Sequence, residues 1–129
     1  MVEFDSIVVE KRGGASLVRL VDDKIMDAKR IQQLNDELTA IAEQSQAGGL
    51  VLDLENVRFL SSAAINKLIV LDKRVKSSGG EIRLVNLRPE VRDVFAITNL
   101  DRVFKIFDDP TEALQSLAQD PIPTRREQT

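Results

Sequence analysis

The residues best placed to do chemistry are two adjacent serines, Ser61 and Ser62, where a strand-like run gives way to a helical pattern. The junction reads Asp53-Leu54-Glu55-Asn56-Val57-Arg58-Phe59-Leu60-Ser61-Ser62-Ala63-Ala64-Ile65. With Ser61 as N-cap, its side-chain oxygen accepts a backbone N–H of the first turn. Ser62 then stands at the first helical position with its hydroxyl free. Such a hydroxyl can accept a phosphoryl group, because free N–H groups and the helix dipole favour an anion at a helix start. The plainer use is that both serines only cap. Hydrolysis at Ser62 would need a general base, and the chain has no His and only Glu55 close by.

Other chemistries are excluded by residue type. No Gly-Gly pair is followed by Gly-Lys-Ser/Thr, no G-x-G-x-x-G opens a helix, and no G-x-S-x-G elbow occurs. The absence of both Cys and His removes thiolate zinc sites, thiol nucleophiles, disulfides and Ser-His-Asp triads. Asp22-Asp23 and Asp108-Asp109 border predicted elements, where turn and cap duty is expected of them. The chain is therefore read as no enzyme, with neither metal nor cofactor.

The serines must be held by what surrounds them. Ile7 to Val9 and Leu17 to Leu20 read as strands joined by a hairpin tip at Arg12-Gly13-Gly14. Ile31, Leu34, Leu38 and Ile41 mark a helix, with Asp27 as its N-cap and Gly48 as its stop. Leu50 to Leu54 is nearly unbroken apolar sequence, the mark of a central, parallel strand. A helix from Ser61 to Ser78 follows, with Ala64, Leu68, Leu71 and Val75 inward. On a helical wheel Ser62, Asn66, Ile69 and Lys73 form one column beside that stripe. With Ala63, they make the expected partner-binding face. Past Gly79-Gly80, Ile82 and Leu84, with Asn86 at the run's end, alternate with Arg83 and Val85 as a strand. Pro89 opens a short helix carrying Val91, Val94 and Phe95 that ends before Asn99. Val103 to Phe107 reads as a last strand. Asp109-Pro110-Thr111-Glu112 starts a final helix with a near capping box.

The order β-β-α-β-α-β-α-β-α predicts one α/β domain with a mixed four- to five-stranded sheet flanked by helices. That domain is expected over residues 1–118, with a loose Pro-rich tail over 119–129. A length of 129 residues suits one domain, and 43% hydrophobic against 30% charged residues suits a globular one. Net charge is only -3, and Trp and Tyr are absent, so neither phosphate-backbone binding nor base stacking is expected. No apolar run approaches the roughly 18 residues of a membrane span. Glu3 and Asp5 stand where a signal peptide's basic region would lie. The expectation is a cytoplasmic protein without membrane insertion.

At the serine junction the sequence resembles the STAS domain, the fold of bacterial anti-sigma factor antagonists. The resemblance runs from about Ile7 to Leu117. It rests on the leading hairpin, the strand Leu50 to Leu54, and Val57-Arg58-Phe59-Leu60-Ser61-Ser62 at the helix start. Gly79-Gly80-Glu81-Ile82, Pro89 to Asn99 and Val103-Phe104-Lys105-Ile106 add to it. In that family an aromatic, an aliphatic, Asp, Ser, a small hydroxyl residue and Gly stand at this point, and the Ser is phosphorylated. Aligning on Phe59 and Leu60 places that Ser at Ser62, with Ser61 as second choice. Ser61, Ala63 and Ala64 then replace the family's Asp, hydroxyl residue and Gly.

The resemblance implies a partner switch that regulates transcription. The unmodified antagonist binds an anti-sigma factor with serine-kinase activity, the phosphorylated one lets go, and a phosphatase resets it. The alternative is an unswitched STAS interaction module in a transporter or signalling scaffold, towards which Ser61 and the two alanines lean.

Overall fold

A computed structural model describes residues 4–12, 14–44 and 49–119. The hairpin comprises β1 (Ile7–Arg12) and β2 (Ala15–Leu20), paired antiparallel with Ile7 opposite Leu20. A two-residue strand β3 (Lys24–Ile25) and helix α1 (Ala28–Gln44) follow. Next come β4 (Gly49–Asp53), a second short strand β5 (Phe59–Leu60) and helix α2 (Ser62–Ser77). Strand β6 (Glu81–Val85), helix α3 (Pro89–Ile97) and a 3-10 turn over Leu100–Arg102 lead to β7 (Lys105–Phe107). Helix α4 (Pro110–Gln119) closes the described chain. The expected tail beyond Gln119, like Gly13 at the hairpin tip and Gly48 after α1, lies outside the described residues.

The main sheet has five strands in the order β1-β2-β4-β6-β7, mixed because only the β1–β2 pair is antiparallel. As the apolar run predicts, β4 is central, and every residue from Gly49 to Asp53 is buried. On one face Val18, Leu20, Leu50, Leu52, Ile82 and Leu84 pack against the inward stripes of α1 and α2. Each fully buried leucine there contributes roughly 2 kcal/mol.

The opposite face is covered by α4, whose Ala113 packs on Val51 and Val85. This explains a departure from the simple alternation read for β6. Arg83 points away from the main core yet is 1% exposed, because α4 lies over it. Its Nε donates to Ser116 Oγ at 2.9 Å, and its guanidinium also meets Glu81 at 2.9 Å. Leu117 of α4 sits directly on Gly49, where an added Cβ would come within 2.6 Å of its methyl carbons.

The hairpin strands are longer than the sequence reading gave them, β4 is shifted by one residue to Gly49–Asp53, and the ends of β6 and the last strand also differ. Val103 and Phe104 both donate their amide N–H to the Leu100 carbonyl, so they close the 3-10 turn, and the last strand starts at Lys105. Asn86 adopts φ +59°, a left-handed conformation that ends β6 at Val85.

The caps follow expectation. Asp27 Oδ2 accepts the Arg30 N–H at 3.1 Å, and Asp109 Oδ1 accepts the Thr111 N–H at 3.0 Å. The approach to β1 is pinned by Glu37 of α1. Its carboxylate accepts the Ser6 hydroxyl at 2.6 Å and the Ser6 and Asp5 amides at 2.9 and 3.1 Å. Burial pushes Glu37 up, but these bonds and one from Gln33 outweigh it, leaving the carboxyl below its ordinary range.

Candidate functional site

The β4–α2 connection is anchored at both ends. Where β4 runs out, Leu54 N–H donates to the Val85 carbonyl at 3.0 Å, and Asp53 Oδ1 accepts the Glu55 N–H at 2.9 Å. Val57 and Leu60 are buried and pull the loop down onto the core. At the far end the chain pairs with β3, forming a two-stranded parallel sheet that the sequence reading lacked. The amides of Arg58 and Phe59 donate to the Asp23 carbonyl at 2.7 and 3.2 Å. Ser61 N–H donates to the Ile25 carbonyl at 3.0 Å.

The β3 strap is itself fixed from α1. Arg30 grips Asp22 in a fork, with Nε and one terminal nitrogen donating to the two carboxylate oxygens at 2.9 and 2.8 Å. The hydrogen bond to Asp22 raises the Arg30 guanidinium above its ordinary value against the opposing effect of burial. Asp22 and Asp23 thus do turn work. Asp108 pairs with Arg92, and Asp109 caps α4. Among the described residues no group of three or more acids could hold a metal ion.

Ser61 has the N-cap geometry its spacing predicts. Its backbone is extended at φ -72°, ψ 165°, and its Oγ accepts the Ala64 N–H at 3.2 Å. Its carbonyl takes the first helical bond, from Ile65 N–H at 3.0 Å. Ser62 is exposed, and among the described residues its hydroxyl has no partner. The two adjacent hydroxyls therefore differ in availability: one is spent on the helix, and the other faces solvent at a position where an anion meets the positive end of α2.

The column expected to contact a partner is exposed in part. Ser62, Ala63, Asn66 and Lys73 are exposed, but Ile69 is half-buried and packs against the core with Ile65. The core's edge takes in more of α2 than a four-residue stripe suggests. The exposed aliphatic of this helix is instead Val70, at 45%.

Sequence reasoning also missed an apolar surface beside the serines. Between β5 and α3 lies a cleft of about 180 Å³ lined by Arg58, Phe59, Leu60, Val91, Val94 and Phe95 among others. Phe59 is 47% exposed and Val94 39% exposed at this cleft. Met26, next to the Ile25 that pairs with Leu60, is exposed as well. The available signal was Val94, an apolar residue on a short helix whose inward stripe is already met by Val91 and Phe95.

The family model of the STAS domain matches residues 6–113. This chain is a STAS domain protein. Over 56 residues it is 39% identical to a STAS-domain containing protein of Pseudomonas aeruginosa, a match covering 43% of this chain and 55% of that one. The match thus spans little more than half the length of that relative. It is 23% identical over 111 residues to the anti-sigma F factor antagonist of Paenibacillus polymyxa, covering 86% and 93% of the two chains.

Solved structures share the fold. An anti-sigma-factor antagonist (STAS) domain protein from Planctomyces limnophilus superposes with a TM-score of 0.76 at 23% identity, covering 87% of this chain and 97% of that one. The phosphorylated form of the Bacillus cell fate determinant SpoIIAA gives 0.65 at 18%, covering 85% and 97%. Murine Slc26a9, an anion transporter, matches with a TM-score of 0.70 at 17% over 82% of this chain and 18% of its own.

Proposed function

We propose that this STAS domain is an anti-sigma factor antagonist whose partner is an anti-sigma factor with serine-kinase activity, and that phosphorylation of Ser62 switches the pair apart. The observation that carries this reading is the division of labour between the two serines. Ser61 Oγ is engaged by the Ala64 N–H at 3.2 Å, while Ser62 is exposed and unpartnered among the described residues. A phosphate on Ser62 adds roughly -1.5 to -2 charge, and the helix N-terminus tolerates it without unfolding. The apolar cleft lined by Phe59 and Val94 lies against the same loop, so bound partner and phosphate would compete for one surface. Ser61 caps the helix where the family has Asp, and Ala64 is buried in regular helix where the family has Gly. In this reading the chain is substrate and ligand in the cytoplasm, ATP belongs to the kinase, and a phosphatase resets the cycle.

The test is incubation with a cognate kinase and ATP, followed by mass spectrometry of the peptide containing Ser61 and Ser62. Phosphate on Ser62, abolished in Ser62→Ala with partner binding retained, is the expected result. If a kinase that binds tightly modifies neither serine, the second reading replaces the first. That reading is an unswitched STAS module within a transporter or signalling scaffold. It is favoured by the replacement of the family's acid and hydroxyl residue by Ser61 and Ala63, and the Slc26a9 match offers a transporter setting for the fold.

A further inference from the structure

The flank of α2 that borders α1 carries a pattern that the phosphoacceptor does not use. Ala63, Lys67, Val70, Arg74 and Ser77 recur at spacings of four, three, four and three, the period of a single helix face. Lys73 flanks them. All are exposed except Lys67, which is half-buried along its stem. The face is about 21 Å long, from the rise of 1.5 Å per residue.

Its charge is of one sign. The only acid on α2, Asp72, is buried and holds Lys76 at 3.1 Å. Arg74 is tempered by Glu43 of α1 at 3.7 Å. Arg74 and Lys76 also stand in the last turn, where a cation complements the helix dipole. Neither explanation reaches Lys67 and Lys73, which have no ion-pair partner among the described residues. On a chain of net charge -3, an exposed helix face that is purely cationic, with Val70 at 45% exposure in its middle, is the surface complementary to an acidic amphipathic helix.

Resting on the antagonist reading above, we infer that this face docks an acidic amphipathic helix of the partner. Val70 is its apolar centre, and Lys67 and Lys73 pair with the helix's carboxylates. Docking on this face is separate in charge from the switch. Ser62 shares its column with Lys73, about 16.5 Å away along the axis, and stands about 140° around the helix from Lys67, so a phosphate there lies beyond the screening length of about 8 Å from either cation.

The probe is a synthetic helical peptide with Leu at every third or fourth position and Glu elsewhere, titrated into the ¹⁵N-labelled full chain and followed by NMR. Saturable shift changes confined to residues 62–77 are expected. Affinity should fall by about tenfold in the Lys67→Glu, Lys73→Glu double variant, and by a similar factor when the peptide's Glu residues become Gln. No saturable binding overturns the inference, as do shifts scattered over Lys11, Lys24 and Lys29, or a double variant that binds as tightly as the parent chain. The assay needs neither kinase nor phosphate. A chain phosphorylated on Ser62 that shows no α2 response loses this inference alone. One that binds the peptide on α2 but is never phosphorylated keeps the docking face and loses the switch.

Discussion

Replacing Ser61 by Ala should destabilise the domain, whereas replacing Ser62 by Ala should not. Ser61 contributes one side-chain acceptor to a first-turn N–H, at 3.2 Å and in a half-buried setting. Loss of a serine N-cap typically costs about 1 kcal/mol. The distance is at the long end of the hydrogen-bond range, which places the expected cost at about 0.5–1 kcal/mol. For a domain of this size that is a fall of roughly 2–5 °C in Tm. Ser62 has no bond to lose, and alanine is the better helix former by a few tenths of a kcal/mol, about 0.5 at most. Ser61→Asp should keep the cap and add a favourable dipole contact of about 0.3–1 kcal/mol. Urea titration of the three variants at pH 7 gives the order Ser61→Asp, then Ser62→Ala, then Ser61→Ala, with equal slopes. A larger loss in Ser62→Ala than in Ser61→Ala would refute the reasoning. It would mean that Ser62 is the cap and that the free hydroxyl lies one residue earlier.

Gly49→Ala should cost about 1–3 kcal/mol through overpacking against Leu117, and Leu117→Ala in the same chain should recover part of it as non-additivity in a double-mutant cycle. The depressed Glu37 carboxyl adds stability that is fully present above its unfolded value of about 4.5 and is lost as pH falls through the folded value. Glu37→Gln should therefore be less stable at pH 7 and should flatten the acid limb of the stability–pH curve. Phe59→Ser and Val94→Asp should each weaken partner binding by tenfold or more, by about 1.4 kcal/mol, while leaving the urea midpoint nearly unchanged, as calorimetry and unfolding on one preparation would show.

The main sheet was legible because its signals are local and redundant. The unbroken apolar run at Leu50 to Leu54 can only be buried on both sides, and the 3,4 spacing of Ile31, Leu34, Leu38 and Ile41 admits one helix face. Ser61 was legible for a related reason, since a cap is settled within four residues. The β3–β5 pair was not, because its strands are two residues each and are held by backbone groups more than thirty positions apart. Arg83 shows the other limit. Alternation placed it on the correct face of β6, but whether that face is wet depends on α4, which arrives from the far end of the chain. The apolar cleft fell outside the reading because Phe59 and Val94 meet only through the tertiary fold. Ile69 was misplaced by counting a helical wheel without knowing how wide the covered arc is.

The bonds that hold the loop leading to Ser62 run from the amides of Arg58, Phe59 and Ser61 to the carbonyls of Asp23 and Ile25. Every one is backbone to backbone. None depends on which side chain position 58, 59 or 61 carries, so long as proline is avoided, because proline alone has no N–H to give. Position and recognition are thereby assigned to different atoms of the same residues. The side chains that a partner would touch can change freely from one relative to another while the serine stays where it is. A family of such domains can then diverge into many non-crossing pairs in one cell, each with its own set of contacts around a serine that has not moved.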